Sequence, residues 1–252
     1  MNLRLLSLPD TAPADPLLLG PTDLKNALTK CVEDFLSILD FRAAPLFTVL
    51  LSIIYSILCI VLPSVDQPIF FPLMPGFALV CLFLATGFYE VSRRREHGFD
   101  TCWAHVSDPQ REPSLPSILA LGVVLLTVSI GWLATAERIY LWLFGPAAPE
   151  STTSLGWTLI ILGNAIGSVF AIVVLSISVG SFPLPLDCNV GVAVAIHTSV
   201  GAVLANPLTM ALWGLIIAAS FVFGFLFVFV GLAFVAPILA HASWHLYRSV
   251  VP

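Results

Sequence analysis

The sequence predicts an all-α integral membrane protein, built as a bundle of six transmembrane helices. Two observations carry this prediction. Of the 252 residues, 58% are hydrophobic and only 10% are charged, whereas soluble domains carry about 25% charged residues. The apolar residues are also gathered in long runs, and a helix needs about 20 of them to cross the hydrocarbon core. Runs of this length satisfy their backbone polar groups internally as helices, so helices and not a barrel are expected.

Two segments precede the first apolar run. Residues 1–21 lack a continuous apolar stretch and are broken by Pro9, Pro13 and Pro16, which predicts a disordered cytoplasmic tail and not a cleaved signal peptide. Residues 22–41 place apolar side chains at helical spacing on one side, which predicts an amphipathic helix capped by Thr22 or Asp23. Because this helix is too polar to span, we expect it either in the headgroup plane or packed against the bundle.

The remainder, residues 22–252, is predicted to form one membrane domain. Its predicted spans are 45–62, 69–91, 117–136, 155–179, 208–226 and 230–247. The aromatic stretch 139–144 predicts an interfacial belt after the third span. Residues 187–206 predict a second interfacial helix with Asp187 as its N-cap, and a tight turn between Gly224 and Gly231 is expected to separate the last two spans.

The distribution of basic residues predicts the orientation. With the N-terminus inside, all but one of the ten Lys and Arg fall on the inner side, and only Arg138 lies near the outer one. This strong bias places both termini in the cytoplasm. Arg93, Arg94 and Arg95 follow span two and are interpreted as a topology anchor that meets anionic headgroups at about 1 kcal/mol each. A nucleic-acid surface would need more basic residues than this chain has, so no nucleic-acid partner is expected.

A weak internal repeat accompanies these spans. Residues 39–51, 109–121 and 203–215 each run from a polar segment, through a proline, into a span that begins a hairpin. This pattern predicts three hairpins, each preceded by an interfacial segment. The alternative is local, because a proline in the first turn of a helix sacrifices no helix hydrogen bond.

The sharpest chemical feature is the pair His241 and His245. Residues four apart share one face of a helix, and imidazoles at that spacing bind a transition metal or haem iron. The same composition, beside Trp244 and Arg248, is typical of an interfacial anchor. A zinc or copper site would need a third ligand, for which His197 is the candidate.

Within span four, Gly163 and Gly167 are spaced for close helix approach, and Asn164 between them could bond across the contact. We interpret these three residues as helix packing and not as a transport site. Pro237 is expected to kink the last span. Glu90 ends span two, where we expect it at the interface without a functional role.

Sequence motifs of soluble enzymes are absent: there is no P-loop, no GxGxxG after a strand, no GxSxG and no HExxH. The sequence therefore predicts no enzyme activity and no catalytic residue. It also predicts no cofactor, with haem or a transition metal at His241 and His245 as the alternative.

Several short motifs carry a family resemblance. These are FPLMPGF (71–77), GFYEVSRRREHG (87–98), SFPLPLD (181–187), TSVGAVLANP (198–207), WG (213–214) and HASWHLYR (241–248). Through them the chain resembles an uncharacterised family of bacterial integral membrane proteins, a domain of unknown function, over nearly its whole length after residue 22. The resemblance implies a multi-pass protein of the bacterial inner membrane, and it names no chemistry.

Three functions follow as hypotheses. The first, which we favour, is a structural, assembly or accessory component that packs against lipids and against other membrane proteins or further copies of itself. The second is a small-solute transporter or channel, suggested by the repeat, Asn164 and Pro237. The third is a metal- or haem-binding protein of the respiratory membrane, suggested by the histidine pair.

Overall fold

The structure is a computed structural model that describes residues 18–39, 53, 54, 57, 85–98, 114–144, 154–188, 190–226 and 231–250. All regular secondary structure in these residues is helical, which confirms the all-helical class. In chain order the helices are α1 (Pro21–Leu39), α2 (85–96), α3 (Leu115–Phe144), α4 (Ser154–Ser181), α5 (Pro183–Cys188), α6 (Val192–Ala205), α7 (Pro207–Leu226) and α8 (Leu232–Val250).

Three helical stretches of the described chain are long and apolar enough to cross a membrane. They are Leu115–Phe144, Gly156–Cys188 and Pro207–Gly224, and they coincide with the third, fourth and fifth predicted spans. Of the first predicted span only residues 53, 54 and 57 are described, and most of the second lies outside the described residues. Helix α8 covers the sixth, although His241, His245 and Arg248 make its second half more polar.

Helix α1 begins at Pro21, whose fixed φ suits the first helical position. The side chain of Asp23 reaches back, and its Oδ2 accepts a hydrogen bond from the Gly20 N–H at 2.9 Å. The buried side chains Leu24, Ala27 and Cys31 recur at helical spacing. Through this face α1 packs against α8, so the amphipathic pattern gives a helix bound to the bundle.

Helices α4 and α6 approach closely where a glycine meets a serine. The Gly180 N–H donates to Ser199 Oγ at 3.0 Å, and Ser199 Oγ donates to the Ser176 carbonyl at 2.8 Å. Helix α6 begins at Val192 after Gly191, with no side-chain cap. The prediction that Asp187 caps this helix is therefore wrong, because Asp187 lies in the separate short helix α5.

Helices α7 and α8 pack against each other, and the turn predicted between Gly224 and Gly231 involves residues 227–230, which lie outside the described residues. Helix α7 ends at Leu226 and α8 begins at Leu232. A Cβ atom added to Gly231 would lie 2.9 Å from Gly224 Cα, so glycine is required for this approach. Pro237 lies inside α8, as expected.

Candidate functional site

Three of the sequence motifs come together in space. GFYEVSRRREHG lies at the end of α2, SFPLPLD at the junction of α4 with α5, and HASWHLYR in the second half of α8. Their polar side chains make three sets of contacts, which we call together the polar cluster: Glu90 with Arg93 and Arg94, Ser92 with His241, and Arg248 with Glu96 and Asp187, which also contact His245 and Tyr247, respectively. The three segments are far apart in the chain, so the fold alone brings them together.

Glu90 is the most deeply buried carboxylate of the polar cluster, with 1% of its surface exposed. Its Oε2 accepts from Arg93 Nε at 2.8 Å, and its Oε1 accepts from Arg94 Nε at 2.7 Å and from Arg93 Nη2 at 3.1 Å. Both arginines lie one helical turn after Glu90, at the spacing at which helix side chains meet. Two cations thus neutralise one buried anion.

Arg93 also joins α2 to α5, because its Nη1 donates to the Leu186 carbonyl at 2.8 Å. Beside it lies a surface recess of about 180 Å³ lined by Glu90, Arg93, Arg94 and His97. The three arginines of the predicted topology anchor therefore make different contacts. Arg93 and Arg94 bind Glu90. Arg95 is exposed, and its Nη1 donates to the Glu33 carbonyl of α1 at 3.3 Å.

Arg248 is the hub of the third set of contacts in the polar cluster. Its Nε lies 3.3 Å from Glu96 Oε2 on α2, and its Nη1 lies 3.1 Å from Asp187 Oδ2 on α5. The same Asp187 oxygen accepts from the Tyr247 hydroxyl at 3.0 Å. Three chain segments are thus joined through one guanidinium group, whose fork geometry suits two carboxylates.

Glu96 also lies near a histidine, with its Oε1 3.6 Å from His245 Nδ1. Burial alone would raise the pKa of Glu96, but the interaction with His245 and the charge of Arg248 outweigh it and lower the pKa below its usual value. The carboxylate is therefore the stable form, held by partners from α8.

His241 is fully buried and shares a hydrogen bond with Ser92, whose Oγ lies 2.7 Å from Nδ1. The Phe88 ring meets the imidazole edge to face at 5.4 Å between centroids. A serine beside a histidine can form a nucleophile and base pair. Both Ser92 and His241 are 0% exposed, however, so neither presents a surface to a substrate in the described part of the chain, and the pair connects α2 to α8.

The two histidines thus contact different partners on α2. In the described part of the chain, no group of three or more His, Cys, Asp or Glu side chains is placed to hold a metal ion. His197 is exposed on α6 and does not complete such a group with His241 and His245. The histidine pair as a metal or haem site stays a prediction.

The predicted packing residues of α4 are placed unequally. A Cβ atom on Gly167 would lie 3.1 Å from the Trp132 ring of α3, whereas one on Gly163 would meet nothing within 4 Å. Asn164 is exposed and its Nδ2 donates to the Ile160 carbonyl of its own helix at 2.7 Å. Helices α3 and α4 therefore approach each other closely at Gly167 and not at Gly163.

Sequence reasoning missed the importance of Glu90 and Asp187. A signal for Glu90 is present, because Arg93 and Arg94 follow it at three and four residues, the helical spacing for ion pairs. Asp187 offers no such signal, since its partner Arg248 is 61 residues away.

The helices and this site together define an all-helical integral membrane protein with several apolar helices and a network of paired charges at the ends of three segments. Residues 70–187 match the family model described as "Predicted integral membrane protein (DUF2189)". That match includes GFYEVSRRREHG and SFPLPLD, and it ends before HASWHLYR. No curated protein and no solved structure matches the chain.

Proposed function

We propose that this protein is a structural, assembly or accessory component of the bacterial inner membrane. One observation carries the proposal: the charged groups of the polar cluster pair with one another, Glu90 within α2 and Arg248 with residues of α2 and α5. Glu90 binds two arginines, and Arg248 binds both Glu96 and Asp187. Charges used in this way hold helices together, whereas a transport or catalytic site needs groups directed at a ligand.

The polar cluster also supports the six-span topology, whereas the cytoplasmic location of both termini rests on the distribution of basic residues. Glu96, Asp187 and Arg248 follow the second, fourth and sixth predicted spans, respectively. In a chain that enters from the cytoplasm, the ends of even-numbered spans all return to the inner face. The contacts among these three residues fit such a topology, because it places all three span ends on one face.

Contacts at two points along α1 support its placement in the headgroup plane. Near its start, the Leu19 N–H donates to Asn206 Oδ1 at 2.6 Å, directly before the fifth predicted span. Further along, the Glu33 carbonyl accepts from Arg95, just after the second. Both points lie at inner-face ends of predicted spans, about 20 Å apart along the helix at 1.5 Å per residue. A helix touching the same face twice over this length runs along the membrane.

Apolar surface on the spanning helices faces outward and is available to lipids and to partner proteins. Exposed large side chains of α3, α4 and α7 include Val123, Trp142, Trp157, Ile161, Leu215 and Val222. We propose lipid contact for most of this surface and, on part of it, contact with other membrane proteins or with further copies of this chain.

Cross-linking in native membranes tests the proposal. A C-terminally tagged chain, cross-linked in the membrane before extraction, is expected to co-purify in constant ratio with a second membrane protein or with untagged copies of itself. The untreated membrane supplies the control. Purification as a single monomeric species contradicts the proposal. A Soret absorbance band in that monomer, or solute flux in liposomes containing it, would favour the haem or the transport hypothesis instead.

Reporter fusions test the topology separately. A fusion at the C-terminus is expected to report a cytoplasmic location, and one in the loop 145–153 an external location. Replacing Arg93, Arg94 and Arg95 together by glutamine is expected to weaken this orientation, because three inner charges are lost.

A further inference from the structure

Leu19, which precedes α1, is hydrogen-bonded to residues at the junction between α6 and α7. The Leu19 N–H donates to Asn206 Oδ1 at 2.6 Å, and Thr209 Oγ1 donates to the Leu19 carbonyl at 3.1 Å. Asn206 is buried, with 5% of its surface exposed. Both backbone groups of one residue are thus bound by side chains, which fixes the path of the chain at this point.

The apolar side chains that flank this attachment are directed away from the protein. Leu18 precedes the tethered residue and is 83% exposed, while Leu204 and Leu208 stand two residues on either side of Asn206 and are 74% and 85% exposed. We call these three residues the leucine patch. Single exposed leucines are common on soluble proteins. Three exposed leucines around the buried Asn206 indicate that another molecule covers them.

The position of the leucine patch identifies lipid as that partner. Leu208 is the second residue of the stretch Pro207–Gly224, which is long and apolar enough to span. Further along the same helix, Leu212 and Leu215 are also exposed. The patch therefore continues the apolar outer surface of a spanning helix at the level where that helix begins.

We propose that the leucine patch inserts into the boundary between headgroups and acyl chains of the inner leaflet, and that Asn206 is the latch that holds Leu18 there. Side chains of this kind anchor interfacial helices by burial in that boundary. Lipid then contacts the start of α1, whose next turns bind α8. The inner-face assignment rests on the proposed topology, whereas the insertion itself rests on the exposures and the two hydrogen bonds.

Accessibility of a cysteine at position 18 tests the insertion. The full chain carrying Leu18→Cys is reconstituted in phosphatidylcholine vesicles and treated with a water-soluble maleimide, and the modification of each peptide is followed by mass spectrometry. The matched control is Asn26→Cys, at an exposed position on the polar face of α1. The cysteine at 18 is expected to react about tenfold more slowly than the one at 26, because the boundary region excludes the reagent.

The latch is tested by adding Asn206→Ala to the Leu18→Cys variant, which is expected to bring the reaction rate close to that of the control. Equal rates at positions 18 and 26 in the otherwise native chain overturn the insertion. A slow rate at position 18 that Asn206→Ala leaves unchanged overturns the role of Asn206 as the latch.

A second measurement on the unmutated chain separates lipid contact from protein cover. Vesicles containing a phospholipid with a diazirine near the glycerol backbone are irradiated, and cross-linked lipid is expected on the peptide that contains Leu18. Its absence overturns the proposal even if the cysteine is protected. Reaction of the cysteine at 26 only from the side opposite a C-terminal tag contradicts the proposed topology and leaves the insertion standing.

Discussion

Substitution of Glu90 by glutamine removes the charge that two arginines share. Breaking a buried ion pair costs about 3–5 kcal/mol because a charge is left uncompensated, while exposed pairs contribute about 0–1 kcal/mol. The Glu90 side chain is 2% exposed, and those of Arg93 and Arg94 are 23% and 20% exposed. The arginines are therefore partly hydrated, so we expect Glu90→Gln to lower the free energy of unfolding by about 2–3 kcal/mol, between these limits.

Thermal unfolding of the purified protein in detergent, followed by circular dichroism at 222 nm, measures this loss. For a chain of this size each kcal/mol lowers Tm by about 2–4 °C, so Glu90→Gln is expected to lower it by about 4–12 °C. The matched control is Glu137→Gln at an exposed position on α3, where a surface change within about 0.5 kcal/mol leaves Tm within about 2 °C. A Tm of Glu90→Gln within the range of this control would refute the interpretation of the pair as a stabilising contact.

Two further perturbations address the polar cluster and the α3–α4 contact. Because the pKa of Glu96 is lowered in the fold, its contribution to stability is full above the unfolded pKa of about 4.3 and is lost as pH falls through the folded value. The Tm of the unmutated protein is thus expected to exceed that of Glu96→Gln at pH 7 and to approach it as the pH falls below the pKa of Glu96 in the fold. Parallel curves would contradict the pairing of Glu96 with His245 and Arg248. Gly167→Leu is expected to lower the free energy of unfolding by about 1–3 kcal/mol through a clash, since a Cβ there already lies 3.1 Å from a tryptophan ring. At Gly163 an added side chain meets open space, so Gly163→Leu is expected to leave Tm nearly unchanged. Equal effects of the two substitutions would contradict the placement of the α3–α4 contact at Gly167.

The helices were predictable because hydrophobic runs and helical periodicity are local properties. The run that predicts a span at 155–179 gives α4 at Ser154–Ser181, and the run that predicts a span at 208–226 gives α7 at Pro207–Leu226. The prediction that Asp187 is an N-cap was wrong because of contacts with residues far away in the chain. Its carboxylate accepts from Tyr247 and binds Arg248, and these long-range contacts outweigh a capping preference typically worth about 1 kcal/mol.

Several residues of the candidate site could be predicted from the sequence, but the contacts between them could not. The sequence showed arginines after span two and two histidines on one face of the last span. It did not show that Ser92 would meet His241, or that Glu96 would meet Arg248, because no periodicity relates residues so far apart. These segments are separated by an even number of predicted spans, which predicts that they lie on one face of the membrane. Which of their residues contact one another depends on the packing of α2 against α8.

The location of the polar cluster follows from the physics of helix association in lipid. Apolar side chains gain little by leaving lipid for another apolar surface, so burial of leucines does not select one neighbouring helix over another. Charged pairs do select neighbours, and they are tolerated at the membrane face, where burial costs less than at the centre. The contacts of Arg248 with Glu96 and Asp187 therefore fix which span ends adjoin. Since Arg248 selects the neighbouring helices at their ends, the outer faces of α3, α4 and α7 need not be used within the chain. Their exposed apolar surface is left for lipids and, under the proposed accessory function, for partner proteins.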